Sequence, residues 1–176
     1  GDPVKMILAD GLANEPGTIY EYSSRSAHLV TAVLAEALRR SDGDDPRTVL
    51  DYAQEKLFDP LGIDSRPAYE MRGYLPTLPS FDTVGFGWAT DAAGLHSGCC
   101  MLRLRPADMV KVGELYLEDG VWQGKRILPA GWVETSTTPS SLNPEYGLMW
   151  IRTTTINQTT AHTTYVARGF DGQLIA

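Results

Sequence analysis

Residues 16–30 read Pro16-Gly17-Thr18-Ile19-Tyr20-Glu21-Tyr22-Ser23-Ser24-Arg25-Ser26-Ala27-His28-Leu29-Val30. Pro-Gly is a turn signal. It is followed by an aromatic residue that suits a buried position, then by a Tyr-Ser-Ser step that opens an apolar run. From Ser24 to about Arg40 the apolar residues Ala27, Leu29, Val30, Ala32, Val33, Leu34 and Leu38 fit a well-buried helix better than a strand. Ser23 or Ser24 is the natural N-cap. The order turn, aromatic, tyrosine, helix mouth can hold the Tyr22 phenol over a cleft. A tyrosine so placed can serve as a base or proton relay once its surroundings favour the phenolate. The competing reading is a ring packed on the core with its hydroxyl on a backbone carbonyl.

Working outward, residues 3–15 read as a short amphipathic piece and a loop. The polar stretch Ser41-Asp42-Gly43-Asp44-Asp45-Pro46 ends the first long helix. Pro46 opens a second, striped by Val49, Leu50, Ala53, Leu57 and Phe58 and closed by Pro60-Leu61-Gly62. Residues 64–95 are irregular and carry Tyr69, Tyr74, Phe81, Phe86 and Trp88, a composition suited to a substrate wall. His96 adjoins this stretch and is a candidate cleft residue. Leu95 to Leu104 reads as a strand, Pro106 to about Leu117 as a helix, and Gly124-Lys125-Arg126 as a tight turn. Pro129 opens a short helix to about Ser136. Tyr146–Arg152, His162–Arg168 and Gln173–Ala176 read as antiparallel strands, with the Thr-rich 153–164 segment as the first hairpin turn. Helices first and a terminal antiparallel sheet predict an α+β chain, helical to about residue 95 and sheet-forming from about 96. No internal repeat or domain break interrupts residues 1–176.

Composition narrows the functional classes. Of the 176 residues 43% are hydrophobic and 21% charged, ordinary values for a globular chain able to bury one core. The net charge of -7 and the scattered Lys and Arg argue against nucleic acid as a partner. No apolar run is long enough to span a membrane. Cys99 and Cys100 are adjacent. On a strand their side chains would point to opposite faces, so a bridge between them is strained, and buried free thiols are expected. Two thiols without a His cluster do not make a zinc site, so no metal or other cofactor is expected. There is no Gly-x-Ser-x-Gly elbow, and His28, His96 and His162 sit in no recognisable nucleophile setting.

The Pro16-Gly17-Thr18, Tyr20 and Tyr22-Ser23 pattern resembles the second motif of the serine β-lactamase and penicillin-recognising family. In its class C, esterase and nylon-oligomer-hydrolase branches that motif runs Pro-Gly-Thr-x-aromatic-x-Tyr-Ser-Asn. Asp59-Pro60-Leu61-Gly62-Ile63 is similar to the family's Pro-Leu-Gly-Met step. Gly94-Leu95, Arg105-Pro106-Ala107-Asp108-Met109, Gly113–Leu117 and Gly120–Pro129 resemble its middle helix and hairpin. Tyr146–Trp150 and Ala167-Arg168-Gly169-Phe170-Asp171-Gly172-Gln173 resemble its last strands. The similarity runs in order along nearly the whole chain. It implies a β-lactamase/transpeptidase-like antiparallel sheet with flanking helices, here incomplete at both ends.

By that resemblance Tyr22 corresponds to the catalytic tyrosine. Ser24 stands where the family usually has Asn, whose amide contacts substrate and the active-site lysine; a hydroxyl is shorter and carries one donor instead of two. Ala167-Arg168-Gly169 stands where β-lactamases carry Lys-Thr-Gly beside the oxyanion hole, which places Arg168 and Gly169 at the substrate edge and favours an esterase or amidase over a β-lactamase. The family's nucleophile lies in Ser-x-x-Lys. Lys5, Lys56, Lys111 and Lys125 are preceded at that spacing by Asp2, Ala53, Asp108 and Trp122, so the motif is absent. The resemblance therefore implies a C-terminal part of a serine hydrolase that acts on a small ester or amide through an acyl-enzyme. Its nucleophile would belong to a missing N-terminal segment of the same protein. The alternative is a family member without catalysis that serves as a binding or scaffold module. Compartment, substrate identity and oligomeric state stay open.

Overall fold

The computed structural model describes residues 1–69, 85–157, 159–170 and 172–176. These residues are mixed α and β, with helices and small antiparallel sheets, as the α+β reading expects. The chain forms two compact units: Gly1–Ala13 with Glu21–Arg105, and Asn14–Tyr20 with Pro106–Ala176. Residues 16–20 of the opening stretch thus belong to the second unit, and Tyr22 to Ser24 to the first.

In the first unit, α1 spans Pro3–Ala9 and α2 spans Ser24–Asp42. Ser23 is the N-cap of α2, extended at φ -142, ψ 116, and its hydroxyl accepts from the Ser26 amide at 3.3 Å. His28, Thr31 and Leu38 are the buried stripe of α2. The expectation of a well-buried helix fails on the other side, where Val30 and Val33 are 61% and 70% exposed. The run of alternating Ala, Leu and Val covers more of the circumference than the packed stripe needs. At the C-terminal end Arg39 and Arg40 both hold Glu36, suiting the negative end of the helix dipole.

Pro46 does not open the next helix. Thr48 caps α3, Val49–Ala53, through a capping box with Asp51: Thr48 N–H to Asp51 Oδ2 at 2.8 Å and Asp51 N–H to Thr48 Oγ1 at 3.1 Å. A π-helical turn, Gln54–Phe58, continues it. The core of this unit comprises Leu38, Val49, Phe58, Leu61, Ile63, Phe86 and Ala89. Phe58 and Phe86 meet edge to face with ring centroids 5.2 Å apart. Phe86 therefore belongs to the core and not to a substrate wall; Tyr74 and Phe81 lie outside the described residues. Of the strand expected over 95–104 only β2, Leu102–Arg103, forms, paired with β1, Gly87–Trp88.

The second unit holds α4, Pro106–Leu117, and the hairpin of β3, Val121–Trp122, and β4, Lys125–Arg126. The turn residues Gln123 and Gly124 both have positive φ, 48° and 78°, as a two-residue type I′ turn requires. After α5, Trp132–Thr137, a three-stranded antiparallel sheet follows in the order β5, Ile151–Asn157, β6, Thr160–Arg168, and β7, Leu174–Ile175. The Thr-rich segment expected to be a turn is mostly strand, because β-branched side chains suit the pleat. Thr155 and Thr164 join hydroxyls across it at 2.6 Å. Of Tyr146 to Trp150, expected as strand, Tyr146 makes only an isolated bridge to Ile151 and residues 147–149 form a bend ahead of β5. Leu115 is fully buried, and Tyr116 lies against Trp150 at 4.3 Å. Tyr20 packs on Tyr146 at 5.3 Å, so this aromatic is core-directed as read.

Arg47 fixes the polar loop after α2. Its guanidinium grips Asp42 at 2.7 and 2.9 Å and reaches Glu55 at 2.5 Å. Hydrogen bonds from the Arg47 side chain and backbone hold the Asp42 carboxyl down at about 2. An unfolded Asp protonates near about 3.9, so this stabilisation is whole above about pH 4 and is lost as the pH falls to about 2. The denaturation midpoint should therefore drop between those pH values, and drop less steeply in Asp42→Asn. Parallel curves for the two proteins would show that the pair adds no pH-dependent stability.

Candidate functional site

Tyr22 is extended chain immediately before the α2 cap, and it is 67% exposed. Ser24, the first residue of the helix, is also exposed, and the cap is made by Ser23. His28 follows Ser24 by four residues and so lies on the same side of the helix one turn on. The stripe that buries His28 thus opens to solvent at Ser24 and Tyr22.

The sequence reading missed what His28 does. Its Nε2 is 3.0 Å from Asp91 Oδ2, and both side chains are 10% exposed. Its Nδ1 accepts from the Gly98 N–H at 3.4 Å. With Nδ1 an acceptor, the ring proton sits on Nε2 and is donated to the carboxylate. The other Asp91 oxygen accepts from the Ala93 and Leu95 amides at 2.8 and 3.0 Å. The signal in the sequence was the Asp91-Ala92-Ala93-Gly94 turn, whose leading Asp caps its own loop. His28 is a positioning residue: it clamps the first turns of α2 onto the 91–98 loop.

Gly98 is what lets the loop come so close. A Cβ there would lie 2.1 Å from Thr31 Oγ1 and 2.3 Å from the Ala27 carbonyl oxygen. Trp88 Nε1 donates to the Ser97 carbonyl at 2.8 Å, and Trp88 stacks obliquely on His96 at 5.3 Å. Burial pushes the His96 imidazole below its ordinary range, which keeps it neutral. His96 is half-buried against Trp88.

Cys99 and Cys100 are free thiols, but they are not both buried: Cys99 is half-buried and Cys100 exposed. Residues 98–100 form a bend instead of a strand, so the two side chains do not point apart. Their sulfurs are 2.7 Å from each other, and Ser97 Oγ is 3.4 and 3.3 Å from them.

Arg168 and Gly169 belong to the second unit. Arg168 is exposed at the end of β6, paired with Leu174. The Gly169 N–H donates to the Gln173 carbonyl at 2.9 Å, and the Gln173 side chain covers the glycine at 2.1 Å from where a Cβ would stand. In this conformation the Gly169 amide is already satisfied. Two hollows also occur. One, in the first unit, lies between α1 and α2 beside Val4, Leu8 and Val33. The other, of about 840 Å³, is walled in the second unit by Met109, Val110, Tyr116, Trp150, Leu174 and Ile175. Both linings are chiefly apolar, which suits binding and not bond-breaking. Among the described residues no group of three or more His, Cys, Asp or Glu is gathered where it could hold a metal ion, and no helix is long and apolar enough to cross a membrane.

Comparison with family models and with curated proteins found no match to this chain.

Gly98→Ala tests whether the loop-to-helix contact is as tight as its geometry. Its methyl would meet a backbone carbonyl, and overpacking of this kind costs about 1–3 kcal/mol. Denaturant unfolding should show that loss. An unchanged midpoint in Gly98→Ala would mean that the loop does not seat on α2.

Proposed function

We propose that this chain is part of a serine hydrolase of the β-lactamase-related family, with the corresponding β-lactamase-like fold, acting on a small ester or amide through an acyl-enzyme. The nucleophilic serine and its lysine lie outside the chain. The observation that carries the reading is the exposure of Tyr22 at the mouth of α2. A tyrosine whose task is packing would bury its ring; this one is 67% exposed beside a well-anchored helix end.

In this reading Tyr22 handles a proton. It takes or relays the proton of the attacking hydroxyl and returns it to the leaving alcohol or amine, so that neither the nucleophile nor the leaving group must carry an unfavourable charge. Ser24 offers a single hydroxyl toward the substrate. Gly169 borders the oxyanion hole, and with its own amide engaged the stabilising N–H groups come from elsewhere. Arg168 is an exposed cation suited to an acidic or strongly polar substrate edge.

A second reading is a binding or scaffold module. Ser24 and Ala167, at the places where the resembled family carries Asn and Lys, favour it. The two readings separate on a fluorophosphonate probe applied to the protein with its upstream segment. Covalent labelling on a serine of a Ser-x-x-Lys segment supports the hydrolase; an upstream segment without that motif, together with no labelling, supports the module.

Two outcomes follow for the hydrolase. The 176-residue chain by itself should not turn over a chromogenic ester, and sustained hydrolysis by it would overturn the placement of the nucleophile. In the protein bearing the nucleophile, Tyr22→Phe should lower kcat/KM by about 10²-fold or more, the usual worth of a positioned acid–base group. Near-wild-type activity would remove Tyr22 from the chemistry.

A further inference from the structure

We propose that Cys99 and Cys100 are a reversible thiol–disulfide pair, which a hydroperoxide closes into a vicinal disulfide and a dithiol reopens. The proposal stands on the local geometry and is independent of the hydrolase reading.

The bend at 98–100 turns both side chains to one side. Their sulfurs are 2.7 Å apart, a gap much nearer to the bonded separation of about 2.05 Å than separate, unconstrained thiols would keep. Met101 follows with φ 64°, so the backbone is kinked directly after the pair, before β2 begins at Leu102. Backbone bonds fix both flanks of the bend. The Ser97 amide donates to the Ala89 carbonyl at 2.9 Å, and the Ala89 amide donates to the Met101 carbonyl at 3.2 Å. Gly98 is held against α2. The thiols are therefore brought together by the fold. Cys100 is exposed, which gives a small oxidant access, and the chain has no third cysteine to compete.

The chemistry balances with peroxide as the oxidant. One sulfur, as thiolate, attacks the O–O bond and becomes a sulfenic acid while the peroxide leaves as water or alcohol. The second sulfur displaces the sulfenic oxygen as water, and the S–S bond forms. Two thiols lose two electrons and two protons, and the peroxide is reduced. Partial desolvation and the neighbouring Cys99 sulfur push the Cys100 thiol up, so Cys100 rests as the thiol. Adjacent Cα atoms stand about 3.8 Å apart, shorter than the usual separation of about 4.4–6.8 Å for bridged cysteines. Such a ring is strained, and strained disulfides are the easily reduced ones.

The test is intact mass and thiol titration of the native chain after hydrogen peroxide. The expected product is a monomer lighter by two hydrogen atoms with no titratable thiol, restored in both respects by dithiothreitol. Phenylarsine oxide, a trivalent arsenical that bridges paired thiols, should bind one to one and block closure. Cys99→Ser and Cys100→Ser should each abolish the two-hydrogen loss and leave oxygen adducts or dimers. Oxygen addition at either cysteine of the wild-type chain, located by peptide mass, disulfide-linked dimers as its main product, or two thiols that survive peroxide would overturn the proposal. So would loss of two hydrogens in either single variant.

Discussion

The absence of a side chain at Gly98 is the constraint on which the first unit depends. With no Cβ, the loop backbone can lie against the Ala27 carbonyl and the Thr31 hydroxyl, where any larger residue would clash. That approach brings the Gly98 amide to His28 Nδ1 and lets Asp91 reach Nε2. The rotation of α2 is then set. His28 and Thr31 face the loop, Val30 and Val33 face solvent, and the Tyr22-Ser23-Ser24 step stands where the buried stripe ends. A helix rotated by even one residue would take the imidazole away from its carboxylate.

The His28–Asp91 pair differs in kind from the ion pairs on the surface. Arg25–Asp10 and Lys56–Glu55 are exposed, and such pairs add little, because water screens them and two long side chains must be ordered. His28 and Asp91 are enclosed, and each polar atom that the geometry shows has a partner: Nδ1 the Gly98 amide, Nε2 one carboxylate oxygen, and the other oxygen two loop amides. A buried polar network completed in this way specifies one arrangement, whereas removing a single member strands the others. The same loop carries Ser97 to Cys100. The thiol pair and the helix that presents Tyr22 therefore share one anchor, although they are different chemistries.

Much of this was legible in the sequence where a local cause dominates. Ser23 as a helix cap, the α4 boundary at Pro106 and the core role of Tyr20 all follow from residues within one or two turns of each other, whereas the turn read at Gly124-Lys125-Arg126 lies one residue earlier, at Gln123-Gly124, with Lys125 and Arg126 in β4. The misreadings came from long-range causes. Leu95 to Leu104 has strand composition, but Gly98 is held by α2, and that contact replaces the pleat with a bend. Reading a strand there also sent the two cysteine side chains to opposite faces, which hid their proximity. The Thr-rich segment failed in the other direction: its polarity suggested a turn, while the β-branched side chains and a matching partner strand made it the longest ladder in the chain. His28 was passed over because its partner lies 63 residues away, and no local pattern announces such a pair.

On the proposed hydrolase reading the residues of this chain would divide between handling a proton and holding a substrate, and neither task makes a nucleophile. A phenol can accept or pass a proton, yet it lowers no barrier unless an attacking group is positioned beside it. Asn in place of Ser24 would offer two donors and a carbonyl; the hydroxyl offers one donor and reaches less far. A Lys in place of Ala167 would add a cation, whereas the charge here is one residue on, as the fork of Arg168. On the same reading both departures would weaken recognition of a compact anionic group such as a β-lactam carboxylate. On the proposed hydrolase reading they leave in place the tyrosine beside the open end of a well-seated helix, the group that would handle the proton for either an ester or an amide.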